Sequence, residues 1–201
     1  MAIDGRTTRR ELVRSGVGLA VTGSLVGGVA SVAAAAPAPS EPEALAHALE
    51  IERLSVIGYD QVLASGALSS AVRPQLEVLL AQDRQHLTSL EQVFRQTGVP
   101  LPQGPTDVVA AQAILRQNQV HRSLTHLPTQ YDCLRVMIDI ESLAEGAYFK
   151  AMPRLTDATL IRTSTAIMGS DAQHWSVLSG IQHNGNVKLS VPFPFVYGAA
   201  S

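Results

Sequence analysis

Residues 76–94 read LEVLLAQDRQHLTSLEQVF. Leu76, Leu80, Leu87, Leu90 and Phe94 recur at the three- and four-residue spacing of a single helix face. Asp83 and His86 stand on that same stripe and interrupt it. The interruption occurs a second time in residues 160–181, LIRTSTAIMGSDAQHWSVLSGI, where Leu160, Ser164, Ile167, Leu178 and Ile181 carry the stripe and Asp171 and His174 break it. Residues three apart share a helix face, so each Asp-x-x-His presents an oxygen and a nitrogen to the same interior space. Two long helices with this marking, far apart in the chain, predict an all-α bundle whose centre is polar.

The rest of the chain supplies the other helices. A first helix is expected over about Pro42 to Ala64, with Pro just inside its start and Leu45, Leu49, Glu52, Val56, Tyr59 and Leu63 on one face. The Ser65, Gly66, Ser69, Ser70 turn ends it. The second helix runs from Arg73 or Pro74 to Thr97, with Gly98 just past its end. VPLPQGPT at 99–106 is too rich in Pro and Gly for a helix, and a short helical piece follows at about 106–119. The span from Gly98 to Pro128 is long for a bundle loop and suits a crossover along the bundle. The third long helix covers Thr129 to about Ala151, aligning Leu134, Ile138, Glu141, Ala144, Tyr148 and Met152, until Pro153 breaks it. Thr156 or Asp157 caps the fourth, which stops near Asn184-Gly185. Residues 185–201, with VPFPFVY at 191–197, are expected to be an extended tail.

Composition agrees with one helical domain. Of 201 residues 46% are hydrophobic, only 4% are aromatic and 16% are charged, which disfavours a β-sandwich. Fifteen basic against seventeen acidic residues leave no polycationic surface for nucleic acid. Cys133 is the single cysteine, which rules out an internal disulfide and a cysteine zinc cluster and reads as a small buried hydrophobe. No serine nucleophile motif, glycine-rich phosphate loop or basic-aromatic patch is present.

The N-terminus reads as an export address. Arg6, Arg9, Arg10 and Arg14 precede a Gly/Ala/Val-rich stretch and a small-residue run ending near Ala36, the order of a signal peptide. Thr8-Arg9-Arg10-Glu11-Leu12-Val13 resembles a twin-arginine motif, which implies export of a folded passenger to the periplasm, cell envelope or medium. The alternative is an uncleaved membrane anchor, although Gly, Ser and Thr dilute the segment. Removing residues 1–36, with four arginines and two acids, leaves a mature chain of net charge −4 after a linker at 37–41. Membrane contact is then confined to the signal segment before cleavage.

The centre of the mature chain carries a repeat. Glu52 and Tyr59 lie seven apart, as do Glu141 and Tyr148, at an offset of 89 between the pairs; Asp83-Arg-Gln-His86 and Asp171-Ala-Gln-His174 are offset by 88. Four carboxylates buried together in an apolar interior are strongly disfavoured as anions. Two divalent cations would cancel their charge. With these residues on four helices, residues 42–184 resemble the ferritin-like superfamily of di-iron carboxylate proteins, antiparallel four-helix bundles of two hairpins joined by one long crossover. That family places Glu on two helices and Glu-x-x-His on the other two. The resemblance implies Glu52 and Glu141 as terminal carboxylate ligands, His86 and His174 as nitrogen ligands, and Asp83 and Asp171 at the bridging positions. Tyr59 and Tyr148 match tyrosines that hydrogen-bond across such sites.

The implied function is an exported protein holding two iron ions, or manganese, and acting on a small oxidant, as in Fe(II) oxidation or peroxide consumption. Two features depart from the family. Asp at both bridging positions is shorter than Glu by one methylene, about 1.5 Å of reach. Arg84 stands where bacterioferritins carry a haem-ligating Met, so no haem is expected. The alternative function is a metal-free ferritin-like structural, stress-related or partner-binding module of the cell envelope, and a homo-oligomer stays open. Glu50 is assigned to the surface; Glu145, one turn from Glu141, reads as an outer ligand or a surface charge, with the surface favoured; His121 and His126 are assigned to polar surface in the crossover, His47 and His183 to no ligand pair, and Trp175 to packing between helices.

Overall fold

The computed structural model describes residues 40–191, so the segment expected to be an export signal and residues 192–201 of the tail lie outside the described residues. The elements are α1 (Glu41–Ala44), α2 (Ala46–Ala64), α3 (Arg73–Thr97), α4 (Val108–Gln117), α5 (Gln130–Ala151), a 3-10 turn at Met152–Arg154, α6 (Ala158–Gln182) and α7 (Val187–Ser190). The chain is all-helical, with no strand among the described residues. None of these helices is long and apolar enough to cross a membrane.

Local chemistry sets the ends of the elements. Ser40 and Glu43 form a reciprocal capping box at α1, Thr129 caps α5, and the Asp157 carboxylate accepts from the Thr159 and Leu160 N–H groups at α6. Gly98 closes α3 with a φ of 71°, a left-handed value at which a side chain would be strained. The single helix expected over 42–64 is divided at Leu45, which flattens to ψ −2° yet still accepts from the Leu49 N–H at 3.0 Å. Leu45 is fully buried there, so packing holds the two pieces together despite the break.

Ion pairs and hydrogen bonds fix the register. Asp60 pairs with Arg84 at 2.9 Å and Arg53 with Glu91 at 3.3 Å, an order possible only if α2 and α3 are antiparallel. Tyr59 with Glu141 and Tyr148 with Glu52 set α2 and α5 antiparallel by the same logic. Gly58 lets these two helices approach closely, since a Cβ there would stand 2.8 Å from Ile140 Cδ1 and 3.1 Å from Met137 Sδ. The crossover is latched at both ends. Arg53 donates to the Pro102 carbonyl at 2.6 Å, and Arg122 pairs with Asp139 of α5 at 2.6 Å.

The core is aliphatic around two tyrosines, Tyr59 and Tyr148, with Phe94 and leucines from every long helix. Cys133 is buried as expected, and Trp175 packs partly buried against the core. The tail departs from the extended reading. Asn186 accepts from the Lys188 N–H at 3.2 Å and opens the short turn α7, whose Ser190 is buried with its hydroxyl 3.4 Å from the Ser179 carbonyl of α6. The prolines behind the expectation of an extended tail begin only at Pro192, beyond this turn.

Candidate metal centre

Each long helix brings its polar interruption to one place. Glu52 and Tyr59 come from α2, Asp83 and His86 from α3, Glu141 and Tyr148 from α5, and Asp171 and His174 from α6. Helical phase does the positioning, because residues at i, i+3 and i+7 share the inward stripe. Glu52, Asp83, Glu141, Asp171 and His174 are at most 1% exposed, and the His86 side chain is 11% exposed.

The donors fall into two groups. One comprises Glu52, Asp83, His86 and Asp171, the other Asp83, Glu141, Asp171 and His174, and within each group one donor atom per residue lies within 4.8 Å of the rest. Asp83 and Asp171 belong to both groups. The shorter Asp arm therefore does not take either residue out of reach. All six residues implied as ligands by the resemblance meet here.

The two tyrosines tie the halves crosswise. Tyr59 donates to Glu141 Oε1 at 2.6 Å and Tyr148 donates to Glu52 Oε1 at 2.7 Å. Both phenols are pushed well above their ordinary range, by burial first and by the neighbouring carboxylates next. They stay protonated and remain donors, fixing which carboxylate oxygen is left free.

Six other polar atoms of the centre are unsatisfied. His86 Nδ1 is 3.2 Å from Asp171 Oδ1 and 3.7 Å from Glu52 Oε2; His174 Nδ1 is 3.1 Å from Asp83 Oδ1 and 3.4 Å from Glu141 Oε1. These approaches do not meet hydrogen-bond geometry. Both Asp83 oxygens, Glu141 Oε2, Asp171 Oδ2 and both Nδ1 atoms are buried without a hydrogen-bond partner. Such a concentration of orphaned donor atoms is rare in folded proteins and each carries a desolvation penalty.

Electrostatics follows from the crowding. Burial, reinforced by its carboxylate neighbours, lifts Asp171 well above its usual range, and burial lifts Glu141 to about 7, with Asp83 adding to the effect. Burial likewise raises Glu52 against the opposing pull of His86. On the imidazoles burial works against charge, but Asp171 and Glu52 outweigh it at His86, and Asp83 and Glu141 outweigh it at His174, so both rings are raised to about 10. Without metal the cluster holds protons as its counter-charge. The donor set, carboxylate oxygens with two imidazole nitrogens, could hold metal ions, which would offset the carboxylate charge and use the orphaned atoms.

Two polar residues near the centre escaped the sequence reading. Glu145, assigned to the surface, is 3% exposed with Oε1 unpartnered, and burial raises it to about 7. Gln82, exposed by helical phase, directs Oε1 to within 2.7 Å of His174 Nε2. The other assignments place as follows: Glu50 is half-exposed and bonded to His47 at 3.0 Å, His121 and His126 are exposed, and His183 bonds to Ser179 on its own helix.

The Ferritin-like domain family matches residues 40–184, most of the chain. The chain belongs to that family. No curated protein and no solved structure matches it.

Proposed function

We propose that the mature chain is an exported ferritin-like protein that holds two iron or manganese ions between its four long helices and carries out redox chemistry on a small oxidant, such as oxygen-linked Fe(II) oxidation or peroxide consumption. The reading rests on one observation: two donor groups share Asp83 and Asp171, lie in the core with only His86 partly exposed, and leave six donor atoms without hydrogen-bond partners. Glu52 and Glu141 would cap the two ends, His86 and His174 would supply the nitrogens, and the two aspartates would stand between the ions. When bound, the metals supply the one-electron steps that carboxylates and imidazoles cannot.

The protein's own groups have definite tasks. Tyr148 and Tyr59 orient Glu52 and Glu141 and hold one oxygen of each. The surrounding aliphatic core keeps most of the cluster from water, so charge placed in the centre is weakly screened. His86 and His174 carry protons that must leave as cations arrive, so uptake releases acid. Export is supported by the twin-arginine-like head, and a folded passenger suits a chain that loads metal before crossing the membrane.

The test is metal uptake by the purified mature chain, followed by oxygen or peroxide consumption. Retention of about two Fe or Mn ions per chain with Fe(II)- or peroxide-dependent turnover is expected. A chain that takes up neither metal contradicts the reading, and uptake without turnover removes the redox part alone.

A further inference from the structure

The two halves of the centre are not equivalent, although the sequence repeat makes them look so. His174 is 1% exposed, while the His86 side chain is 11% exposed. Across the seam between α3 and α6, which touch far less than α2 with α3 or α5 with α6, Gln82 Oε1 stands 2.7 Å from His174 Nε2. The Ser170 hydroxyl lies 3.4 Å from the same nitrogen. In the repeat Ser170 is the counterpart of Gln82, yet its bond goes to His174 on its own helix and does not cross to His86. No hydrogen bond of His86 Nε2 is present among the described residues.

An amide oxygen can only accept, so Nε2 of His174 carries a hydrogen toward Gln82, and Nδ1, which faces Asp83 and Glu141, is the nitrogen placed to hold a cation. The bond also holds the ring in plane and closes its outer edge. Such a partner on a ligand histidine typically accounts for about 10–100-fold in metal affinity. His86 has neither the fixed tautomer nor the seal.

We infer that Gln82 is a positioning residue that makes the His174–Glu141 position the retained divalent-cation position and leaves His86–Glu52 as the exchangeable one. This rests on the two-metal reading above and adds a ranking within it. The ion at His86 is the one that enters last and leaves first through the α3–α6 seam.

Titration of the metal-free mature chain with Co(II), followed by visible absorption and calorimetry, tests this. The wild-type chain should show two steps at least about tenfold apart. His174→Ala should remove the tight step and His86→Ala the weak one. Gln82→Met should weaken the tight step by about 10–100-fold and leave the weak step within about twofold, while Gln82→Glu, which keeps an acceptor, should restore it. Gln82→Ala serves as the second apolar variant, and circular dichroism reports the fold of each. Equal wild-type steps, a tight step assigned to His86, equal loosening of both steps in Gln82→Met, or no recovery in Gln82→Glu would each overturn the ranking while leaving a metal centre in place. Absence of any Co(II) binding by the wild-type chain would overturn the two-metal reading itself and the ranking with it.

Discussion

The α2–α3 and α5–α6 hairpins carry one motif twice, and their differences are as informative as their likeness. In both, Glu and Tyr lie seven residues apart and Asp and His three apart, and each tyrosine serves the other half's glutamate. The shared features build the centre. The unshared ones build its surroundings: α3 buries one stripe and leaves the rest to solvent, while α5 is packed on nearly every face. Where α2 has the apolar Val56, α5 has the buried Glu145; where α6 has Ser170, α3 has Gln82. Duplicated chemistry has thus been placed in two unequal environments, which is how one pattern can yield two positions of different character.

The largest expected effect comes from removing the shared nitrogen donors. His86→Ala with His174→Ala should abolish Fe(II) and Mn(II) uptake measured by elemental analysis, with the helical circular dichroism signal kept. Either single variant should lose about one ion per chain, and retention of two in both would deny the histidines a ligand role. Next in size is pH. Ligands bind cations only when deprotonated, and the rings are raised to about 10 and Glu141 to about 7, so apparent affinity should fall as pH drops from 8 to 6. The change approaches about tenfold per pH unit for each proton displaced. Affinity independent of pH over that range would contradict the protonated resting state.

The crosswise tyrosine bonds offer a direct comparison of the halves. Tyr59→Phe and Tyr148→Phe each strip a buried glutamate of its donor, and each should cost about 1–3 kcal/mol of stability in urea unfolding. Similar costs are expected, and a cost confined to one variant would show that the halves do not bear on each other equally. The smallest effect belongs to the unshared acid. Glu145 is raised from 4.5 to about 7, so its contribution is full below pH 4.5 and is lost as pH rises through 7. Glu145→Gln should therefore leave the melting temperature of the metal-free chain unchanged at pH 4 and raise it by roughly 2–4 °C at pH 8.5. A rise at both values would point to packing as the cause.

Much of the fold is written as periodicity. The stripes of α3 and α6, the Gly98 cap and the long Gly98 to Pro128 connection all follow from local rules that the tertiary structure leaves intact. The six central residues were legible for the same reason: a charge on an apolar stripe violates the pattern that surrounds it. Four things were not legible. The break at Leu45 leaves the apolar period unchanged, so nothing in the sequence marks it. Glu145, one turn from Glu141, reads in the sequence as an outer ligand or a surface charge, whereas Cys133, Val136, Met137, Ile140, Leu143 and Ala147 show that α5 is buried on its other sides as well. Gln82 sits where helical phase predicts solvent, and only the across-seam distance to His174 reveals its part. The short turn α7 depends on the Asn186 cap and on Ser190 meeting α6, and prolines further along masked both cues.

Elemental analysis of the purified protein, recovered without chelators, measures the central claim most directly. About two iron or manganese ions per chain are expected, one for each donor group built around Asp83 and Asp171. A metal-free chain that also fails to take up Fe(II) or Mn(II) would contradict it.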